Sequence, residues 1–199
     1  LQAAARAERY RLLELWRQDQ QLDFVLTAHH ADDQLETILM RLNRSSGVAG
    51  LAGVRRRNGT VVRPLLNWRR AELLSIALEQ DIPFIDDPSN ADHRFDRARL
   101  RHALTGQNLI DAEAASRSAG HLADAEDALE WSVDQALASW PAPHSPFTIR
   151  DDGYPDEIFR RIIIRRLRHF QPELDIRAVT LDTLISGMRS RTRVMVGDL

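Results

Sequence analysis

The sequence predicts an α/β domain followed by a mostly α-helical one, on three observations. Short apolar, β-branched runs at residues 23–28 and 61–66 each lead into an amphipathic helical pattern. That alternation is expected of a parallel sheet with helical crossovers. Beyond residue 104 strand signals stop and helical periodicity takes over. A length of 199 residues with 43% apolar side chains supports one large domain, or one domain and part of a second. The change in character sets the expected boundary between residues 1–105 and residues 106–199.

Taken in order, Tyr10, Leu13 and Trp16, with Arg and Glu between them, read as one face of an opening helix. The run Asp23-Phe24-Val25-Leu26-Thr27-Ala28 reads as a buried strand. A helix follows with Leu35, Ile38, Leu39 and Leu42 as its buried stripe, and with Asp32 and Asp33 in its cap and first turn. Gly47, Gly50 and Gly53 recur at equal spacing and allow tight turns. Val61-Val62-Arg63-Pro64-Leu65-Leu66 reads as a second strand, with Pro64 biasing Arg63 toward an extended conformation.

Residues 68–80 are expected to form a helix with Leu73, Leu74, Ala77 and Leu78 inward. Asp86-Asp87-Pro88-Ser89-Asn90 is a turn, with Arg94, Arg97, Arg99 and Arg101 after it. Residues 111–139 make a long, acidic, Ala-rich helix that Pro141, Pro143 and Pro146 end. Residues 158–170 are amphipathic, with Phe159, Ile162, Ile163, Leu167 and Phe170 on one face and Arg160, Arg161, Arg165 and Arg168 on much of the other. A last helix over residues 179–188 precedes a basic tail of Arg189, Arg191 and Arg193.

The formal net charge of -2 rules out a polycation, but the charge is unevenly spread. Residues 41–101 hold twelve Arg against seven acids, residues 102–157 are strongly acidic, and residues 158–199 hold nine Arg against four acids. All 27 cations are Arg, which genome composition and selection for bidentate phosphate contacts each explain. The absence of Cys excludes a disulfide framework, thiolate chemistry and Cys-bound zinc. No apolar run reaches the length of a membrane span, so a cytoplasmic protein is expected.

The densest chemistry lies in Ala28-His29-His30-Ala31-Asp32-Asp33-Gln34, at the carboxyl end of a strand and the start of a helix. Ligands bind at that edge of open α/β sheets. Asp33 and Glu36 are three apart and share a helical face. Arg97 and Arg101 are four apart and form a plausible clamp for a phosphate or carboxylate, or a solvated surface.

Four motifs in order resemble the tRNA(Ile)-lysidine synthetase family of the N-type ATP pyrophosphatase superfamily. They are Ala28 to Thr37, Arg44 to Leu51, Arg63 to Leu66, and Asp87 to Arg101. Ser45-Ser46 and Ala98 depart from the usual residues of that pattern. The resemblance implies the C-terminal remnant of a parallel-sheet ATP-pyrophosphatase domain followed by a helical tRNA-binding or substrate-binding domain. It further implies an enzyme that adenylates the wobble cytidine of isoleucine tRNA with ATP and Mg²⁺, attaches lysine and releases AMP. Asp33 and Glu36 would then recognise lysine, and His29, His30 and Asp32 would support the reacting centre. Asp32 is the candidate metal ligand. Arg63 would offset developing negative charge or bind the tRNA backbone, and Arg97 and Arg101 would contact tRNA or phosphate.

The family's Ser-Gly-Gly-x-Asp-Ser loop does not occur in the 199 residues. The expectation is therefore a fragment whose ATP loop lies upstream of Leu1, which is inactive alone and can pair through an open strand edge into a homodimer. Two rivals stand beside this reading. A metal-dependent phosphohydrolase would use the His-His-x-Asp-Asp cluster as ligands, and a non-catalytic RNA-binding module would use the two basic stretches.

Overall fold

The computed structural model describes residues 2–85, 96–106, 109–139, 153–172 and 178–190. It divides into two compact units, Leu1–Glu126 and Asp127–Leu199. The first holds α1 (Gln2–Asp19), β1 (Val25–Leu26), α2 (Ala31–Leu42), α3 (Val48–Leu51), β2 (Arg57–Asn58), β3 (Val61–Val62), α4 (Arg70–Glu79), α5 (Asp96–Leu104) and the first part of α6 (Ala112–Ala138). The second holds the rest of α6, α7 (Asp156–Phe170) and α8 (Ala178–Arg189). The units therefore divide inside α6, whereas the change in composition falls before it.

The sheet has the order β1-β3-β2. β1 and β3 pair in parallel with Val25 opposite Val61, as the alternation of strand and helix predicts. β2 pairs antiparallel with β3 and has no apolar pattern of its own. Asn58-Gly59 was the available signal, since Gly59 takes a φ of 57° in the two-residue connection of that hairpin. Arg57 then stacks on Phe24, 4.9 Å from the ring centroid, and covers an aromatic side chain at the sheet. β1 is shorter than its apolar run and is buried on one face only: Val25 is buried and Leu26 is 68% exposed.

Around α2 the first unit packs Ala31 and Leu35 against Ala112 of α6, with Leu39, Leu104 and Ala115 beside them. Buried Ser116 donates its hydroxyl to the carbonyl oxygen of Leu66 at 2.7 Å, tying α6 to the segment after β3. In the second unit Ile158 and Ile162 of α7 pack on Val133 and Ala136 of α6. Phe159, Ile163 and Leu167 pack on Leu181 and Ile185 of α8. The predicted apolar face of residues 158–170 is thus its buried face, apart from Phe170, whose side chain lies outside the described residues.

Three expectations about individual elements need correction. Leu42 is exposed, and α2 instead buries Gln34, Glu36 and Thr37, because this helix serves a polar site on one side. The cap of α2 is His30, not an Asp. In α4 nothing is buried, and Leu74 and Leu78 face solvent; its N-terminus is held by a carboxylate, as described below, and not by an apolar stripe. The Asp86-to-Asn90 turn, Arg94, the three Pro after α6, Arg191 and Arg193 lie outside the described residues.

Candidate active site

β1 delivers the His-Asp cluster to the end of the parallel pair. Thr27 continues the ladder by donating its N–H to Val62 at 3.0 Å, and its hydroxyl lies 3.0 Å from His29 Nδ1. His30 is extended and caps α2. Its Nδ1 accepts from the Asp33 N–H at 3.3 Å, while the Asp33 carboxylate accepts from the His30 N–H at 3.1 Å. This reciprocal pair satisfies two of the free N–H groups at the helix start. His30 and Asp33 are thereby fixed by local backbone chemistry.

Asp32 turns the other way and holds α4. Its Oδ1 accepts from Arg69 Nε at 3.2 Å and Nη2 at 3.0 Å, and its Oδ2 accepts from the Arg70 N–H at 2.7 Å. Burial pushes the Asp32 carboxyl up, but the Arg70 N–H and the Arg69 guanidinium outweigh it and hold the group below its ordinary value. The N–H of Ala31 donates to the Trp68 carbonyl at 2.8 Å, completing the junction of the two helix starts.

Arg69 and Arg70 escaped the sequence reading. Two cations at a helix N-terminus oppose the helix dipole, and that unfavourable placement was the sign that a carboxylate waits for them.

Glu36 is buried, and its Oε1 accepts from Arg101 Nε at 2.7 Å across the gap between α2 and α5. Its Oε2 is buried with no hydrogen-bond partner. Arg101 Nη2 stands 3.9 Å from Asp33 Oδ1, so one guanidinium serves both carboxylates expected to bind an ammonium group. Arg97 is exposed and reaches Thr37 Oγ1 at 3.4 Å.

Arg63 is buried, donates from Nη1 to the Arg55 carbonyl at 2.8 Å, and has an unpartnered Nε. Burial first, and the Arg63 charge second, push the His29 imidazole below its ordinary value.

His30, Asp32, Glu36 and Arg101 line one cleft of about 200 Å³ together with Arg69 and Arg70. His29, Asp33, Arg63 and Arg97 are not among its lining residues. The fit to a divalent cation is poor. Both oxygens of Asp32 already accept hydrogen bonds, and among the described residues no group of three or more His, Asp or Glu could hold a metal ion. For a nucleotide the cleft offers Arg69 and Arg70, which suit phosphate oxygens.

A parallel strand pair with charged side chains gathered at its carboxyl end defines an α/β ligand-binding domain. Consistent with that class, residues 1–108 match the family described as PP-loop domain. The chain is 44% identical over 143 residues to the tRNA(Ile)-lysidine synthase of Novosphingobium aromaticivorans, covering 68% of this chain and 44% of that protein. It is 31% identical over 208 residues to that of Zymomonas mobilis, covering 100% of this chain and 63% of that protein. It is 46% identical over 151 residues to that of Rhodopseudomonas palustris, covering 71% of this chain and 44% of that protein.

The chain belongs to the tRNA(Ile)-lysidine synthase family of PP-loop proteins. It spans about half the length of these relatives. The PP-loop match spans residues 1–108, and the expectation of a chain lacking its N-terminal ATP loop is not borne out. Among the described residues no helix is long and apolar enough to cross a membrane.

Proposed function

We propose that this chain works in a tRNA-modifying ligase that adenylates the wobble cytidine of isoleucine tRNA with ATP and joins lysine to it, releasing AMP. The observation that carries the reading is the buried Glu36, with one oxygen unpartnered, in an Arg-lined cleft of a PP-loop family domain. Lysine brings an ammonium group that suits Glu36 and Asp33. When bound, ATP supplies the adenylyl group, and Arg69 and Arg70 would meet its phosphates.

His30 and Asp32 hold the starts of α2 and α4 around the cleft. His29, whose imidazole is held below its ordinary value, and buried Arg63 lie outside the lining of the cleft. Exposed Arg97 is the candidate tRNA phosphate contact, with Arg101 beside it. Asp32, the candidate Mg²⁺ ligand, already accepts three hydrogen bonds through its two oxygens and so offers a cation little remaining acceptor capacity.

The division of labour follows composition, with residues 1–105 adenylating and residues 106–199 meeting tRNA or substrate. The Cys-free composition fits the reducing cytoplasm. The outer edge of β1 carries no strand among the described residues, which favours pairing with a second copy. Light scattering over a concentration series tests that pairing, and a monomer throughout sinks it.

The function is tested by titrating isoleucine tRNA, a non-cognate tRNA and lysine into the 199-residue chain. Preference for the isoleucine tRNA together with lysine binding is expected. Equal, steeply salt-dependent binding of both tRNAs without lysine binding would instead mark a general RNA-binding module. Stoichiometric, tightly bound transition metal would mark a metallohydrolase.

A further inference from the structure

We infer that Arg101 is the positioning residue of this cleft, engaging one oxygen of the buried Glu36 carboxylate and leaving the other for the side-chain ammonium of lysine. The inference deepens the reading of Asp33 and Glu36 as an ammonium site and rests on it. Glu36 is 2% exposed, and a carboxylate taken that far out of water needs a counter-charge held against it. Arg101 supplies it through a single bond from Nε to Oε1 at 2.7 Å, although a guanidinium facing a carboxylate often closes a two-bonded fork. The second arm of the fork leans to Asp33, with Nη2 3.9 Å from Oδ1.

Oε2 of Glu36 is thereby left buried without a hydrogen bond. An unpaired acceptor on a buried anion is costly, and a three-donor ammonium entering the cleft removes that cost. The Arg101 side chain is 31% exposed and that of Glu36 is 3% exposed, so Glu36 depends on Arg101 for a counter-charge while Arg101 keeps contact with solvent. α5 fixes the base of the Arg101 side chain by burying Ala98 one turn earlier. Arg101 thus acts on the ligand through Glu36, a role separate from direct contact with phosphate.

The test is calorimetric titration of lysine, and of norleucine as the analogue without the side-chain ammonium. Both are titrated into the 199-residue chain, Glu36→Gln, Arg101→Met, Arg101→Lys and the double variant Glu36→Gln/Arg101→Met. Thermal melts confirm that each is folded. Arg101→Met is expected to weaken lysine binding at least about tenfold, and Arg101→Lys to recover most of the loss, as a retained counter-charge requires. The double variant is expected to bind no more weakly than Glu36→Gln alone, because residues acting through one contact are non-additive.

Undiminished lysine binding in Arg101→Met, or additive losses in the double variant, overturns the inference and leaves the ammonium site standing. Lysine binding that is absent from the wild-type chain, or matched by norleucine, overturns the site reading and the inference with it. If Arg101→Met does not fold, Arg101→Lys decides: binding near the wild-type level supports the inference, and a loss equal to that of Glu36→Gln overturns it.

Discussion

His29 shows how a single side chain is set by its burial. Half-buried beside Thr27, it is pushed below the ordinary imidazole value of 6.5, by desolvation first and by Arg63 second, against a smaller upward pull from Asp33. A folded-state value below the unfolded one means that the folded chain resists protonation. Its contribution to stability is therefore present above the unfolded value and lost as pH falls from there through the folded one. The urea midpoint should decrease as pH is lowered below about 6.5, and His29→Gln should flatten part of that slope. An unchanged slope in the variant would remove His29 from the acid response. The neighbouring residues show why motif residues are not interchangeable: His30 caps a helix, Asp32 holds the next one, and Glu36 faces the cleft.

At the scale of elements, the loop after α2 is held by a side chain imitating a strand. Gln34 donates from Nε2 to the Val54 carbonyl at 3.1 Å and accepts from the Val54 N–H at 2.6 Å. Gly53 next to it has a φ of 65°, and a Cβ there would lie 2.5 Å from Gln34 Oε1. Arg41 completes the clamp on the carbonyls of Gly50 and Gly53.

Gly53→Ala should therefore cost about 2–3 kcal/mol, from left-handed strain and weakened Gln34 hydrogen bonds, read as a lowered urea midpoint. A loss within about 0.5 kcal/mol would show that the loop relaxes freely. The equal spacing of the Gly residues was visible in the sequence as a turn signal. Its purpose was not, because Gln34 lies far upstream and its partner is a backbone group, which has no sequence signature.

Over the whole molecule, the uneven charge resolves into pairs. In the second unit Arg160 meets Asp182 at 2.9 Å, Arg161 meets Glu157 at 2.9 Å, and Arg165 contacts both Glu130 and Asp134. Three arginines of the basic stretch, Arg161, Arg165 and Arg189, are thus folded onto acids of the acidic one, and partly exposed pairs of this kind are each worth little stability. Stability comes from the apolar face beneath them, where Phe159 and Ile163 are fully buried. Phe159→Ala should cost the second unit about 3–5 kcal/mol. Hydrogen exchange should then show lost protection in α7 and α8 with α2 unchanged. Equal loss in α2 would mean that the two units unfold as one.

The sequence by itself determined the α/β-then-helical order, the parallel pairing and the apolar face of α7. It also determined the family, whose motifs are written in contiguous residues. Periodicity and short motifs are local properties, and they survive reading along a chain. Only the tertiary structure decided that His30 rather than an Asp caps α2, that Arg69 and Arg70 belong to the cleft, and that Arg101 sits on Glu36. Each of these joins a charged group to a partner on another turn or another element. Electrostatic and hydrogen-bond partners are chosen by distance in space, where residues 36 and 101 are neighbours and their separation along the chain carries no information.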